Sequence, residues 1–136
     1  MKNELKNYLK NLLIFEILIV AAVPFIFKYI EPKRVAALGA GSLFVLLGIS
    51  VLYGSLRYEP LRKTFLTVVG CLHLFLVSVP MLAARIYFFD TDFDHIQIMG
   101  LSAPDFHKYS EWVYMALLIA TIYQFVKQVR QTKKAA

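Results

Sequence analysis

The stretch Thr64 to Phe89, TFLTVVGCLHLFLVSVPMLAARIYFF, runs about twenty residues past a single histidine, His73, before a full charge appears at Arg85. At about 1.5 Å of rise per residue, a helix of that length crosses a hydrocarbon layer roughly 30 Å thick. Three further apolar runs follow the same rule, which predicts an all-α, polytopic membrane protein built as a bundle of four transmembrane helices. The expected spans are residues 9–27, 35–56, 64–89 and 110–128, with an acidic outer loop at 90–109, all within one membrane domain covering 1–136.

Composition agrees with lipid as the solvent: 59% of the 136 residues are hydrophobic and 18% are charged. The formal net charge of +6 does not indicate nucleic acid, because the Lys and Arg residues cluster at the ends of apolar runs rather than along one face. With four spans, one side of the membrane receives ten Lys or Arg residues and the other five. The richer side, holding both the N-terminus and the C-terminus, is expected to be cytoplasmic, in the inner membrane of the cell. Glu16 interrupts the first apolar run and no small-x-small site follows, so that run is expected to be a retained span.

The connections KYIEPKR and RYEPLRK are short and each contains a proline, which predicts tight turns between spans one and two and between spans two and three. In the second span Gly41, Gly48 and Ser55 recur every seven residues, and Ala37 precedes Gly41 by four. Such a stripe of small side chains lets another helix approach closely, either within the bundle or from a partner. Pro80 removes the donor expected by the Leu76 carbonyl, and Pro24 does the same to Val20, so both helices are expected to bend. The two proline segments align as AAVPFIFKY and VSVPMLAARIY, a short hint of repeated hairpins. Ser102 and Asp105 have the spacing of a capping box, placing the last helix start near Ala103.

A carboxylate within a span costs several kcal/mol unless paired, hydrated or protonated, which makes Glu16 a candidate site residue. Glu16 and His73 are expected at similar depth on parallel spans, facing each other as a proton-binding pair, with Gln124 able to join them. Arg85 and Trp112 are read as interface residues, Arg85 either snorkelling or pairing with the acidic loop. Tyr8, Tyr29, Tyr109 and Tyr114 are read as aromatic markers of the headgroup level. In the loop, Asp90, Asp92, Asp94 and His95 present oxygen and imidazole donors at metal-ligand spacing. The calcium-loop pattern fails at its sixth and twelfth positions, which hold His95 and Leu101. The apolar residues Ile96, Ile98, Met99 and Leu101 are expected to lie back on the membrane or on a partner.

Signatures of familiar enzymes are missing from the sequence: it holds no GxSxG, HExxH or phosphate-binding glycine loop, and Cys71 is the only cysteine. Two histidines from facing spans are not available for haem, and no cofactor is expected. In outline the chain resembles the small multidrug transporters, with four spans and an acid in the first. Their aromatic and glycine motifs are not evident here, and no function is carried over. The leading expectation is a non-enzymatic subunit or accessory protein of a membrane complex, contacting lipid, other subunits or itself. The alternative is a homo-oligomeric proton- or cation-coupled transporter using Glu16 and His73, with a lipid enzyme third.

Overall fold

The computed structural model describes residues 2–135. Four long helices dominate it: α1 (Lys2–Tyr29), α2 (Lys33–Arg57), α3 (Phe65–Tyr87) and α4 (Ala103–Ala135). All four are long and apolar enough to cross a membrane. Each helix packs on its sequence neighbour and α4 closes back on α1, so α1 and α3 stand on one diagonal of the ring and α2 and α4 on the other. The chain ends and the turn at residues 58–64 share one end of the bundle, called here the terminal end. Residues 30–32 and 88–102 form the opposite, loop end.

Apolar content alone does not delimit the helices, because polar ends continue the same backbone hydrogen bonding. The helical residues 2–8 and 129–135 lie outside the apolar runs, and Gln128 Nε2 donates to the Lys2 carbonyl at 3.2 Å, tying α4 to the start of α1. At the loop end, α2 begins after Pro32, whose extended backbone fits the first position before a helix. Lys33 reaches back to the Phe27 carbonyl and lies 3.0 Å from Glu31. The start of α4 is capped by one arm of the expected box, the Asp105 N–H donating to Ser102 Oγ at 3.4 Å.

The helices meet through small residues. A Cβ at Gly48 would stand 2.8 Å from the Leu74 side chain, and one at Gly41 would stand 3.1 Å from Leu82. Ser55 Oγ lies 2.6 Å from Thr67 Oγ1 on α3. The seven-residue stripe is therefore spent inside the bundle, as the seam between α2 and α3, and Ala37 is buried on the same helix. Two further close approaches fall outside that stripe: Gly54 against the Tyr8 ring, and Gly70 against Val51.

Tyr8 is consequently not a headgroup marker. Its ring fills the space over Gly54 and its hydroxyl donates to the Ser50 carbonyl at 2.6 Å. Leu5, Leu9, Leu12 and Ile19 of α1 join Leu47, Val51, Leu66 and Leu117 in the interior. The outward positions remain apolar as well, with Leu18, Phe25, Phe65 and Ile119 each about 60% exposed. A rod apolar on all sides, in a bundle this small, is matched to a lipid surround.

The acidic loop forms a small hairpin that packs against the ends of α3 and α4. A 3₁₀ turn (Phe93–His95) leads into a two-residue hairpin, β1 (Gln97–Ile98) against β2 (Leu101–Ser102). Met99 and Gly100 both take positive φ, as the tightest hairpin turns require. Ile96 and Ile98 bury themselves against Val77, Ala84 and Phe106, whereas Met99 and Leu101 face outward.

Candidate functional site

The two prolines expected to bend their helices behave differently. α1 keeps its α-helical winding past Pro24, with the Val20 carbonyl losing only the donor that proline lacks. In α3 the residues ahead of Pro80 rewind: Leu74–Ser78 form a π turn in which the Val79 N–H donates to the Leu74 carbonyl, one residue further back than in an α-helix. The cause is the missing N–H of Pro80, which the Leu76 carbonyl would otherwise accept. The wider winding brings residues five apart onto one face. Ser78 Oγ thereby lies 2.9 Å from His73 Nδ1.

Beside that pair is a cavity of about 490 Å³, lined by all four helices. Its wall is largely apolar, with Val20 and Val23 from α1, Phe44 from α2, Val77 and Met81 from α3 and Leu118 from α4. His73, 2% exposed, and Ser78 stand at its inner end with Tyr114. At the loop end its rim carries Ser110, His107 and Glu111, and His107 Nε2 lies 3.1 Å from Glu111 Oε1. Both rim side chains are more than half exposed, so the space leads from a buried imidazole to the surface. Val20 and Met115 line the same space while remaining about 53% and 55% exposed on the flank between α1 and α4.

Glu16 sits one helical turn from Val20 toward the terminal end and is fully buried. Its Oε1 accepts from Thr121 Oγ1 of α4 at 2.6 Å, and Oε2 has no hydrogen-bond partner among the described residues. The Thr121 hydroxyl also lies 3.0 Å from the Leu117 carbonyl of its own helix. Tyr114 separates the two buried polar groups. Its hydroxyl donates to the Glu16 backbone carbonyl at 2.5 Å, while its ring packs edge-on against His73, with centroids 5.9 Å apart, and against Phe44 at 5.5 Å.

The expected direct pairing of Glu16 with His73 is thus replaced by two separate arrangements, and no ion pair among the described residues joins them. Similar depth was insufficient, because α1 and α3 stand across the diagonal with the Tyr114 ring between them. Gln124 is buried one turn beyond Thr121 and makes no hydrogen bond to either group. Tyr114, read as a headgroup marker, is an interior residue; Trp112, two positions earlier, is 74% exposed on the outer face of α4.

Arg85 forms no ion pair among the described residues; its guanidinium lies over the ring of Phe93 in the acidic loop, 4.2 Å from the centroid. The loop's acids are met instead by Arg34, 3.3 Å from Asp90 and 4.0 Å from Asp92. Asp94 and His95 are exposed, and no cluster of three His, Cys, Asp or Glu residues suited to a metal forms among the described residues.

Three residues essential to this geometry were not singled out from the sequence as site residues: Ser78, Thr121 and Tyr114. A hydroxyl five positions after a histidine carries no helical meaning until Pro80 is seen to rewind the turn. Thr121 is visible only as a polar interruption of the last span. Comparison with known proteins finds no family model, no curated protein and no solved structure that matches this chain.

Proposed function

We propose that the chain is a multi-pass membrane protein without chemistry of its own, which holds a lipid-soluble small molecule between its four helices and serves as a binding or accessory component. The observation that carries this reading is the cavity: a largely apolar space of about 490 Å³ with a few convergent polar groups at one end. Ligand sites have this size and balance of surface, and in bundles they lie between helices. The charge count supports placing both termini on the cytoplasmic side of the inner membrane, with the cavity rim toward the exterior. The small-residue stripe on α2 is already occupied by α3, so it is not the surface offered to a partner.

The test is to purify the protein in mild detergent and identify the small molecules that accompany it by mass spectrometry. Val23→Phe and Met81→Phe, which fill the cavity from opposite walls, should remove one molecular species from the preparation while leaving elution and thermal stability unchanged. If the bound species are the same in wild type and filled variants, the cavity is not the binding site.

A second reading, proton-coupled transport, is favoured by one feature: the Glu16 carboxyl, buried with a partnerless Oε2. A carboxyl that took up a proton there would donate to Thr121 Oγ1, freeing that hydroxyl to donate to the Leu117 carbonyl. Glu16→Gln in proteoliposomes should then abolish pH-driven flux. Equal flux in the two proteins would remove the transport reading.

A further inference from the structure

We infer that the molecule held in the cavity is a neutral lipid bearing a carbonyl oxygen, and that the ring N–H at Nε2 of His73 is the group that recognises it. The inference rests on the binding reading above and adds the chemistry of the guest.

It follows from where one hydroxyl proton goes. Ser42, Ser50 and Ser55 each donate to the carbonyl four residues earlier in their own helix, at 2.8, 2.8 and 3.0 Å. For Ser78 the corresponding carbonyl is that of Leu74, which receives the Val79 N–H across the π turn and to which the Ser78 hydroxyl makes no hydrogen bond. The Ser78 side chain, 2% exposed, has one hydrogen-bond partner among the described residues, His73 Nδ1. A buried hydroxyl keeps its proton in a hydrogen bond, so Ser78 donates and Nδ1 accepts. The neutral imidazole then carries its own proton on Nε2. No protein acceptor among the described residues takes that N–H, and the ring lies in the cavity lining. A donor at the inner end of an apolar chamber selects a guest with an acceptor at its tip.

The remaining lining decides which acceptor. No Lys or Arg lines the cavity, and the one cation-forming group at its rim, His107, is already engaged by the acidic Glu111 at 3.1 Å. A carboxylate or phosphate would enter without a counter-charge, whereas a ketone, quinone or ester carbonyl requires none. The apolar wall from Val20 to Leu118 accommodates its hydrocarbon.

The experiment uses the full chain in lipid nanodiscs and two probes that differ at one position, an alkyl phenyl ketone and the alkylbenzene of equal chain length. Nitrogen-15 spectra of histidine-labelled protein should show His73 protonated at Nε2, with that preference lost in Ser78→Ala. The ketone should bind roughly tenfold more tightly than the alkylbenzene, as expected for one net hydrogen bond. The preference should vanish in His73→Phe and shrink in Ser78→Ala. Equal binding of both probes to wild type would overturn the carbonyl inference while leaving the cavity reading in place; binding of neither would overturn both. A wild-type His73 protonated at Nδ1 would also refute it, and that measurement does not depend on any variant folding.

Discussion

Glu16 and His73 are both almost fully buried, on helices that stand diagonally across the bundle, yet they find their hydrogen-bond partners in opposite ways. Glu16 takes its partner from another helix, so the Glu16–Thr121 contact ties α1 to α4 in a tightly packed region. His73 takes its partner from its own helix, through the π turn, and its second nitrogen is left for the cavity. An interhelical partner joins; an intrahelical partner orients and presents. The same cost of burying a polar group thus yields a tie at one place and a binding group at the other.

The strongest challenge to this contrast is Gly48→Leu. Its side chain would meet Leu74, the first residue of the π turn, where even a Cβ stands 2.8 Å away. Overpacking of this kind should cost about 3 kcal/mol, measured by unfolding in mixed detergent micelles, with the His73 ring signals disturbed before anything near Glu16. Next comes Thr121→Val, which leaves the buried carboxyl without its one side-chain partner. A loss of about 2 kcal/mol is expected, with guest binding retained. Ser78→Ala should reverse that pattern, costing about 1 kcal/mol in stability while impairing retention of the guest. If Thr121→Val and Ser78→Ala affect stability and binding alike, the division into tie and presenter is wrong.

The smallest effect on stability and the sharpest on register is expected from the prolines. Pro80→Ala restores a donor for the Leu76 carbonyl, so α3 should return to α-helical winding and Ser78 should rotate away from His73. Pro24→Ala should leave the His73 ring spectrum unchanged, since α1 is already helical through that position.

Much of the fold was legible because apolar runs of sufficient length have few alternatives in lipid. The stripe Gly41, Gly48 and Ser55 announced a close helix approach, but not that α3 would fill it, because spacing gives a face and not the neighbour it meets. Gly54 and Gly70 escaped notice because their counterparts, Tyr8 and Val51, lie on other helices at no fixed sequence interval. Glu16 and His73 stood out as buried polar residues, while Thr121 and Ser78 did not. Depth can be estimated from position along a span, but azimuth around the bundle requires knowing which helices are neighbours. Pro80 foretold a lost donor, but not that the turn ahead of it would widen to π winding.

Val20 and Met115 line the chamber while also standing on the outer flank of α1 and α4, which gives a guest a side door. A molecule dissolved among acyl chains would arrive there by diffusing within the sheet of the membrane, with no passage through the aqueous phase. Occupancy would then follow how strongly a compound partitions into the bilayer, so that a sparingly water-soluble guest at trace aqueous levels could keep the chamber filled.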